Sequence, residues 1–203
     1  YVVDQEVLYQ NDYPYESSVT ATGRTHFDRF AESVIADFSL ESADLVVDIG
    51  SNVGVLLDGF KRRGMGVLGV DPAKNIAEIA NKSGIPTISE FFSPDVARKI
   101  TRDHRPARVI TASNVFAHVD DLDSLVQGVL ELLDEKGIFV IEAPYLVHLV
   151  DNLEYDTIYH EHLSYIAVSP LVRFFKKYDI DIFNVSEEDI HGGSIRIFTC
   201  RKG

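Results

Sequence analysis

The stretch of the chain richest in chemistry is Tyr155-Asp156-Thr157-Ile158-Tyr159-His160-Glu161-His162-Leu163. Histidine is the side chain most readily poised to take up a proton near neutral pH, and a phenol or carboxylate beside it can orient it or oppose its charge. Metal binding is the competing reading. Helix-borne zinc pairs stand four residues apart, as in H-E-x-x-H. Here the two histidines stand two apart, which sends them to nearly opposite sides of a helix or to the same side of a strand. No third ligand lies nearby in sequence, so no metal site is expected. A solvated cluster of loop histidines is the plain alternative.

A second constellation lies earlier, in Val46-Val47-Asp48-Ile49-Gly50-Ser51-Asn52-Val53-Gly54, followed by Gly69-Val70-Asp71. An apolar run enters a glycine turn, a helical stretch follows, and a second apolar run ends on an acid. In nucleoside-binding α/β folds such a turn presents backbone to the ligand, and the acid accepts hydrogen bonds from ribose hydroxyls. Asp48, Gly50, Asn52, Gly54 and Asp71 are the candidates for this role. The phosphate-binding pattern G-x-G-x-x-G is absent, because Asn52 stands where its second glycine belongs. A side chain there occupies pyrophosphate space, which favours a nucleoside without a diphosphate and makes S-adenosylmethionine the candidate ligand. Two structural readings stand beside this one: glycines serve strand-to-helix turns in any doubly wound domain, and Asp71 before Pro72 is placed to cap a helix.

These residues need elements to hold them. Apolar residues at helical spacing predict a helix from Thr22 to about Phe38. Alternation of apolar runs and helical patterns then predicts strands over Leu45–Ile49, Val67–Val70, Thr87-Ile88, Arg108–Ala112 and Gly137–Glu142. The helices between them run over Val55–Arg63, Ala73–Lys82, Ser93–Thr101 and Leu122–Leu133. A helix over Pro170–Tyr178 precedes two strands, Ile180–Val185 and Ser194–Cys200, whose link is too short for a crossover and so predicts antiparallel pairing. The expected fold is α/β: a doubly wound, mostly parallel sheet of about seven strands with an antiparallel last pair. Phe91 and Phe92, past the third strand, could pack on an adenine ring or in the core. Asn114 ends the fourth strand, where ligands of open α/β sheets gather, and His118 follows it. Residues 1–21, with Tyr1, Tyr9, Tyr13, Tyr15 and Pro14, read as an irregular arm or lid, and 22–203 as the core domain. Between Ala143 and Glu161 the pattern loses its period over a length that points to function.

Composition narrows the classes. A chain of 203 residues supports one sizeable core. The formal net charge of −13 disfavours nucleic acid or an anionic membrane as the main partner. Cys200 is the single cysteine, which excludes an internal disulfide and a cysteine zinc cluster. No apolar run approaches the roughly 20 residues of a membrane span, and Asp4, Glu6, Asn11 and Asp12 interrupt any signal-like amino end. A cytoplasmic location is the expectation. The first residue, Tyr1, reads as that of a processed or excised piece.

Taken together, five groups of residues carry a resemblance. They are Asp48-Ile-Gly-Ser-Asn-Val-Gly54, Tyr13-Pro-Tyr15 with Ser17-Ser18, Asn114-Val-Phe-Ala-His118, Tyr155 to Leu163, and His191-Gly-Gly-Ser194. In that order they resemble the class I methyltransferases that methylate carbon in nucleotide-linked 4-keto-deoxy sugars. The resemblance implies a Rossmann-like methyltransferase fold, S-adenosylmethionine as cofactor, and a small-molecule sugar substrate; an O- or N-methyltransferase acting on another small molecule, and a non-catalytic cofactor-binding module of a larger assembly, are the alternative readings. It implies His162 as the base beside the ketone, Tyr159 and Tyr13 as hydrogen-bonding partners of the sugar or enolate oxygen, Glu161 as an orienting group, and His118 close to the ketone or methyl donor. Family members usually carry an amino-terminal zinc module and a second carboxy-terminal domain, so flanking domains or a homo-oligomer are possible partners. Val53 stands where the family often has an acid.

Overall fold

The computed structural model describes residues 3–10, 13–14, 20–190 and 192–203. Among the described residues, seven strands form one sheet: β1 (Leu45–Ile49), β2 (Gly66–Val70), β3 (Thr87–Ile88), β4 (Ala107–Ser113), β5 (Leu133–Pro144), β6 (Ile180–Glu188) and β7 (Ser194–Arg201). Their order is β3-β2-β1-β4-β5-β7-β6. The first five strands pair parallel, and β7 runs antiparallel between β5 and β6. Strand order reverses between β1 and β4, the place where an open α/β sheet leaves a crevice at its carboxyl ends.

Helices cover both faces, which is why β1 is buried along its whole length. The α2 (Ala21–Asp37) and α3 (Val55–Arg62) helices, with Ala80 of α4 (Lys74–Lys82), pack on Val46, Val109 and Val140. On the other face, α5 (Pro94–Asp103), α6 (Leu122–Leu132) and α8 (Val168–Phe175) pack on Val47, Ile110, Ile141 and Ile197. Successive strand residues alternate between the two cores, as period-2 geometry requires. Ser93 caps α5 by accepting the Val96 N–H, with Pro94 in the first turn.

Three local expectations are corrected. The arm is not wholly irregular: Gln5–Tyr9 form a short helix, α1, whose Asp4 carboxylate accepts the Glu6 N–H. The aperiodic stretch after β5 holds a further helix, α7 (Leu146–Asp151), and a 3-10 turn over Tyr155–Thr157. The last helix starts at Val168, not Pro170. A proline in the first turn lacks only an N–H that has no intrahelical partner there.

Buried polar groups interrupt the α2-facing core. Glu142 of β5 is 1% exposed, yet its carboxylate accepts three bonds. His26 of α2 donates at 2.7 Å, and Arg196 of β7 donates through Nε and Nη2 at 2.9 and 2.7 Å. The Arg196 guanidinium lies 3.8 Å over the Phe30 ring and also pairs with Glu188 at 3.1 Å. Burial alone would raise the Glu142 pKa, but the His26 bond and the Arg196 charge outweigh it and hold it below the usual value. Arg196→Met should therefore destabilise the fold by about 3 kcal/mol or more, since it leaves a buried carboxylate short of its main partner. Urea unfolding at pH 7 reads this; a loss under about 1 kcal/mol would contradict it. Because the folded pKa is depressed, the Glu142 contribution is present above the unfolded value and lost as pH falls through the folded one. The gap between wild type and variant should accordingly shrink on acidification.

Candidate active site

A cavity of about 850 Å³ opens at the carboxyl ends of β1, β2 and β4, within the range of small-molecule sites. One wall is the β1 turn. Gly50, Asn52 and Gly54 have φ of 66°, 52° and 82°, so the chain turns through left-handed conformations that glycine and asparagine tolerate. A Cβ on Gly50 would meet Val115 Cγ2 at 2.3 Å, which excludes a larger residue there. The Asn52 side chain turns back on its own loop, its Oδ1 accepting the Val53 N–H at 2.9 Å.

Asp71 ends β2 and faces this turn. Its Oδ2 accepts the Asn52 N–H at 2.8 Å and its Oδ1 the Ala73 N–H at 3.0 Å. The structural role weighed from sequence is thus present, in modified form: Asp71 ties down the approach to α4, whose N-cap is Ala73. An ionised carboxylate offers about four acceptor sites, so two are left for a ligand. Burial raises the Asp71 pKa, with the two backbone N–H bonds opposing the rise.

Asp48 is buried behind the turn and accepts the Thr111 hydroxyl at 2.5 Å. Desolvation pushes its pKa up to about 7. Thr111 works against that rise, and the nearby Asp71 and Glu142 charges add to it. At the end of β4, Ser113 Oγ and Asn114 Oδ1 are buried with no hydrogen-bond partner among the described residues, as is Ser51 Oγ in the β1 turn. All three residues line the cavity. Unpaired buried polar atoms are costly, so their clustering here marks a place built for a polar ligand. Phe91 and Phe92 both line the cavity too; Phe92 also packs on the core, whereas Phe91 does not.

The opposite wall carries the histidine motif. Tyr159 to His162 form a tight turn, closed by the His162 N–H donating to the Tyr159 carbonyl at 3.1 Å. The turn directs Tyr159, Glu161 and His162 into the cavity, while His160 points away and is 60% exposed. The Leu163 and Ser164 N–H groups donate to the Ala117 carbonyl, anchoring the motif beside His118. The His118 and His162 rings meet edge to face at 4.9 Å, and the Tyr159 and His162 rings lie 4.3 Å apart. His162 Nδ1 is 2.7 Å from the Thr157 carbonyl. A carbonyl only accepts, so Nδ1 carries the proton, and in the neutral ring the free lone pair is on Nε2. Burial, then the His162 charge, lowers the His118 pKa to about 4.

Tyr13 lines the cavity from the arm, its carbonyl accepting the Asn75 side chain at 3.0 Å. Tyr15, Ser17, Ser18 and His191 lie outside the described residues. Among the described residues, no three of His, Cys, Asp and Glu group to hold a metal ion, and no helix is long and apolar enough to cross a membrane. Sequence reasoning missed Tyr9 and Gln5, which reach His118 from α1; reading the arm as irregular hid them. It also missed Glu142 and Arg196, although a charged residue within a buried apolar strand was a visible signal.

The fold and the switch-point cavity define a class, and the residues of 24–185 match the methyltransferase domain family. The chain belongs to that family. It is 37% identical over 200 residues to the C-methyltransferase NovU of Streptomyces niveus, covering 98% of this chain and 47% of that protein. It is 28% identical over 120 residues to a ubiquinone biosynthesis O-methyltransferase of Pelagibacter ubique, covering 54% of this chain and 48% of that one. The chain thus spans about half the length of these two relatives. Among solved structures it resembles the magnesium protoporphyrin IX methyltransferase of Synechocystis with bound SAH, with a TM-score of 0.65 and 12% identity over 93% of this chain and 90% of that one. S-adenosylmethionine is the cofactor of this class. The residues present fit it: a carboxylate with free acceptor sites, a turn too close-packed for a side chain at Gly50, and unpaired polar atoms at the end of β4.

The raised Asp48 pKa has a testable consequence. An acid whose folded value exceeds its unfolded value costs stability as pH rises through that interval, from near 3.8 to about 7. Asp48→Asn, which keeps an acceptor for Thr111, should raise the unfolding temperature at pH 8, with the gain vanishing toward pH 4. A gain independent of pH would contradict the assignment.

Proposed function

We propose that this chain is the catalytic core of an S-adenosylmethionine-dependent C-methyltransferase that methylates the carbon next to a ketone in a nucleotide-linked deoxy sugar. The observation that carries the reading is the Tyr159–His162 turn. It sets a histidine with a free Nε2 lone pair against a second, neutral histidine, across one cavity from Asp71. The 37% identity to a protein named as a C-methyltransferase supports the choice of carbon.

A saturated carbon has no lone pair to offer, so it must first lose a proton, and a neighbouring ketone makes that proton acidic. His162 Nε2 takes this proton; its Nδ1–H, held by the Thr157 carbonyl, keeps the ring oriented before and after the transfer. The electron pair left on carbon delocalises to the ketone oxygen. Tyr159 and Tyr13, whose side chains line the cavity, supply phenolic hydrogen bonds as that oxygen gains charge, stabilisation strongest in the transition state. Glu161, 23% exposed and 3.9 Å from His118 Nδ1, places a carboxylate beside the histidine pair, where its charge opposes the one that His162 gains. Asp71 holds the ribose hydroxyls of the cofactor, Phe91 its adenine, and Ser113 and Asn114 its amino-acid end. When bound, S-adenosylmethionine supplies an electrophilic methyl on a sulfonium, for which no metal activation is required. Gly50 brings backbone close to the ligand, whereas Gly54 packs against Ile85 outside the cavity lining and serves the turn itself. The arm, whose described residues Gln5, Tyr9, Tyr13 and Pro14 line the cavity, serves as a lid that excludes water.

A second reading, methylation of a hydroxyl, has the ubiquinone O-methyltransferase relative in its favour. It gives the Tyr159–His162 turn less to do, because a hydroxyl needs only modest help to lose its proton.

Removing a general base typically costs about 10²–10⁴-fold in rate. His162→Ala in the full-length enzyme should lose both methyl transfer and exchange of the sugar's acidic proton with deuterated water, while binding S-adenosylhomocysteine as before. His160→Ala should be mild. Normal deuterium exchange by His162→Ala would overturn the assignment of the base.

A further inference from the structure

The hydroxyl of Tyr9, on α1, lies 3.0 Å from His118 Nδ1, and the two residues line one cavity. We propose that Tyr9 is a positioning residue that fixes the tautomer of His118, leaving Nε2–H as the ring donor presented to the substrate oxygen. The proposal rests on the reading of this cavity as the substrate site.

Two features of the contact set its direction. Burial, then the charge of Glu161, raises the Tyr9 pKa, so the phenol keeps its proton throughout the working range. Among the described residues His118 Nδ1 is the only hydrogen-bond partner of that hydroxyl. If Tyr9 accepted from Nδ1–H instead, its own proton would have no acceptor among the described residues. Donation from the phenol to Nδ1 satisfies both groups. The neutral imidazole then carries its proton on Nε2, since one nitrogen donates and the other accepts.

The ring has little freedom to choose otherwise. The His118 side chain is 16% exposed, and the nearest carboxylate, that of Glu161, stands 3.9 Å from Nδ1, beyond hydrogen-bond distance. The His118 backbone is also held, because its carbonyl accepts the Gln5 side chain at 3.1 Å. Tyr9 packs edge to face against Tyr13 at 5.5 Å and against His118 at 6.2 Å, so its own ring is fixed. The two histidines of the site are thereby given opposite tautomers. His162, bonded through Nδ1–H to a carbonyl, offers a lone pair at Nε2. His118, bonded through Nδ1 to a phenol, offers a proton at Nε2. One accepts a proton from carbon while the other donates a hydrogen bond to oxygen, and a single amino-terminal residue sets the second role.

Tyr9→Phe removes one oxygen and keeps the ring packing. Long-range proton–nitrogen correlation spectra of the 15N-labelled chain report which imidazole nitrogen is protonated, with His118 identified by comparison with His118→Gln. Wild type should show a bare Nδ1 and a protonated Nε2 at His118 across pH 6–8, and Tyr9→Phe should show a mixture of tautomers. Gln5→Ala, which removes the contact to the backbone only, should keep the wild-type pattern. In the full-length enzyme, Tyr9→Phe should lower kcat by roughly tenfold, about 1.4 kcal/mol, with KM for the methyl donor unchanged. A protonated Nδ1 in wild type, an unchanged pattern in Tyr9→Phe, or an equal disturbance by Gln5→Ala would overturn the proposal. Failure of methyl transfer to any keto-sugar, with the tautomer pattern as expected, would instead overturn the function and leave the tautomer assignment standing.

Discussion

The β1 and β4 strands run side by side and parallel, and the chain leaves their carboxyl ends in opposite directions, toward α3 on one face and α6 on the other. The two connections diverge, so the sheet ends in a crevice that neither fills. Everything functional in the molecule is arranged around that gap. The β1 turn borders it with Gly50, the end of β4 borders it with Ser113 and Asn114, and β2 delivers Asp71 from one strand away. Close packing makes the turn unforgiving: Val115 sits where any side chain on Gly50 would go. The Asp71 carboxylate then holds the turn through the Asn52 N–H. A group that carries a ligand thus also shapes the loop that receives it.

Polar groups are buried at high density around this crevice. Asp48, Glu142 and Arg196 are each less than a tenth exposed, and each would be costly if unpaired. They are satisfied in different ways. Glu142 receives His26 and Arg196 and stays ionised, whereas Asp48 receives one hydroxyl and is driven toward its neutral form. The result is a stiff polar layer under α2, tying the helix that follows the amino-terminal arm to the antiparallel end of the sheet. Among the described residues, three of the buried polar atoms without a partner, on Ser51, Ser113 and Asn114, belong to residues that line the crevice.

How far the sequence disclosed this depends on the range of the interactions involved. The strands and helices were legible because their periodicity is local; β1 and β3 fall where the alternation placed them. The β1 turn and Asp71 were legible because a glycine turn and an acid at a strand end carry meaning over a few residues. The Tyr159–His162 motif was legible as a cluster of chemistry, but not as a turn, and nothing local gave the Thr157 carbonyl as the partner of His162. The α1 helix was missed because its five residues bury nothing of their own. Its contacts, from Gln5 and Tyr9 to His118, span 113 and 109 positions of sequence. Phe91 and Phe92 could not be told apart until the core was seen to take Phe92.

A base at His162 has value only if the methyl ends on carbon, so the fate of that methyl is the sharpest test. The full-length enzyme can be supplied with S-adenosylmethionine labelled with carbon-13 in the methyl group and with a nucleotide-linked 4-keto-deoxy sugar labelled throughout its ring. Carbon NMR of the product should then show a methyl signal split by one-bond coupling to a ring carbon next to the ketone. A methyl signal in the methoxy region, without that coupling, would contradict an enolate mechanism and leave His162 without the role given to it.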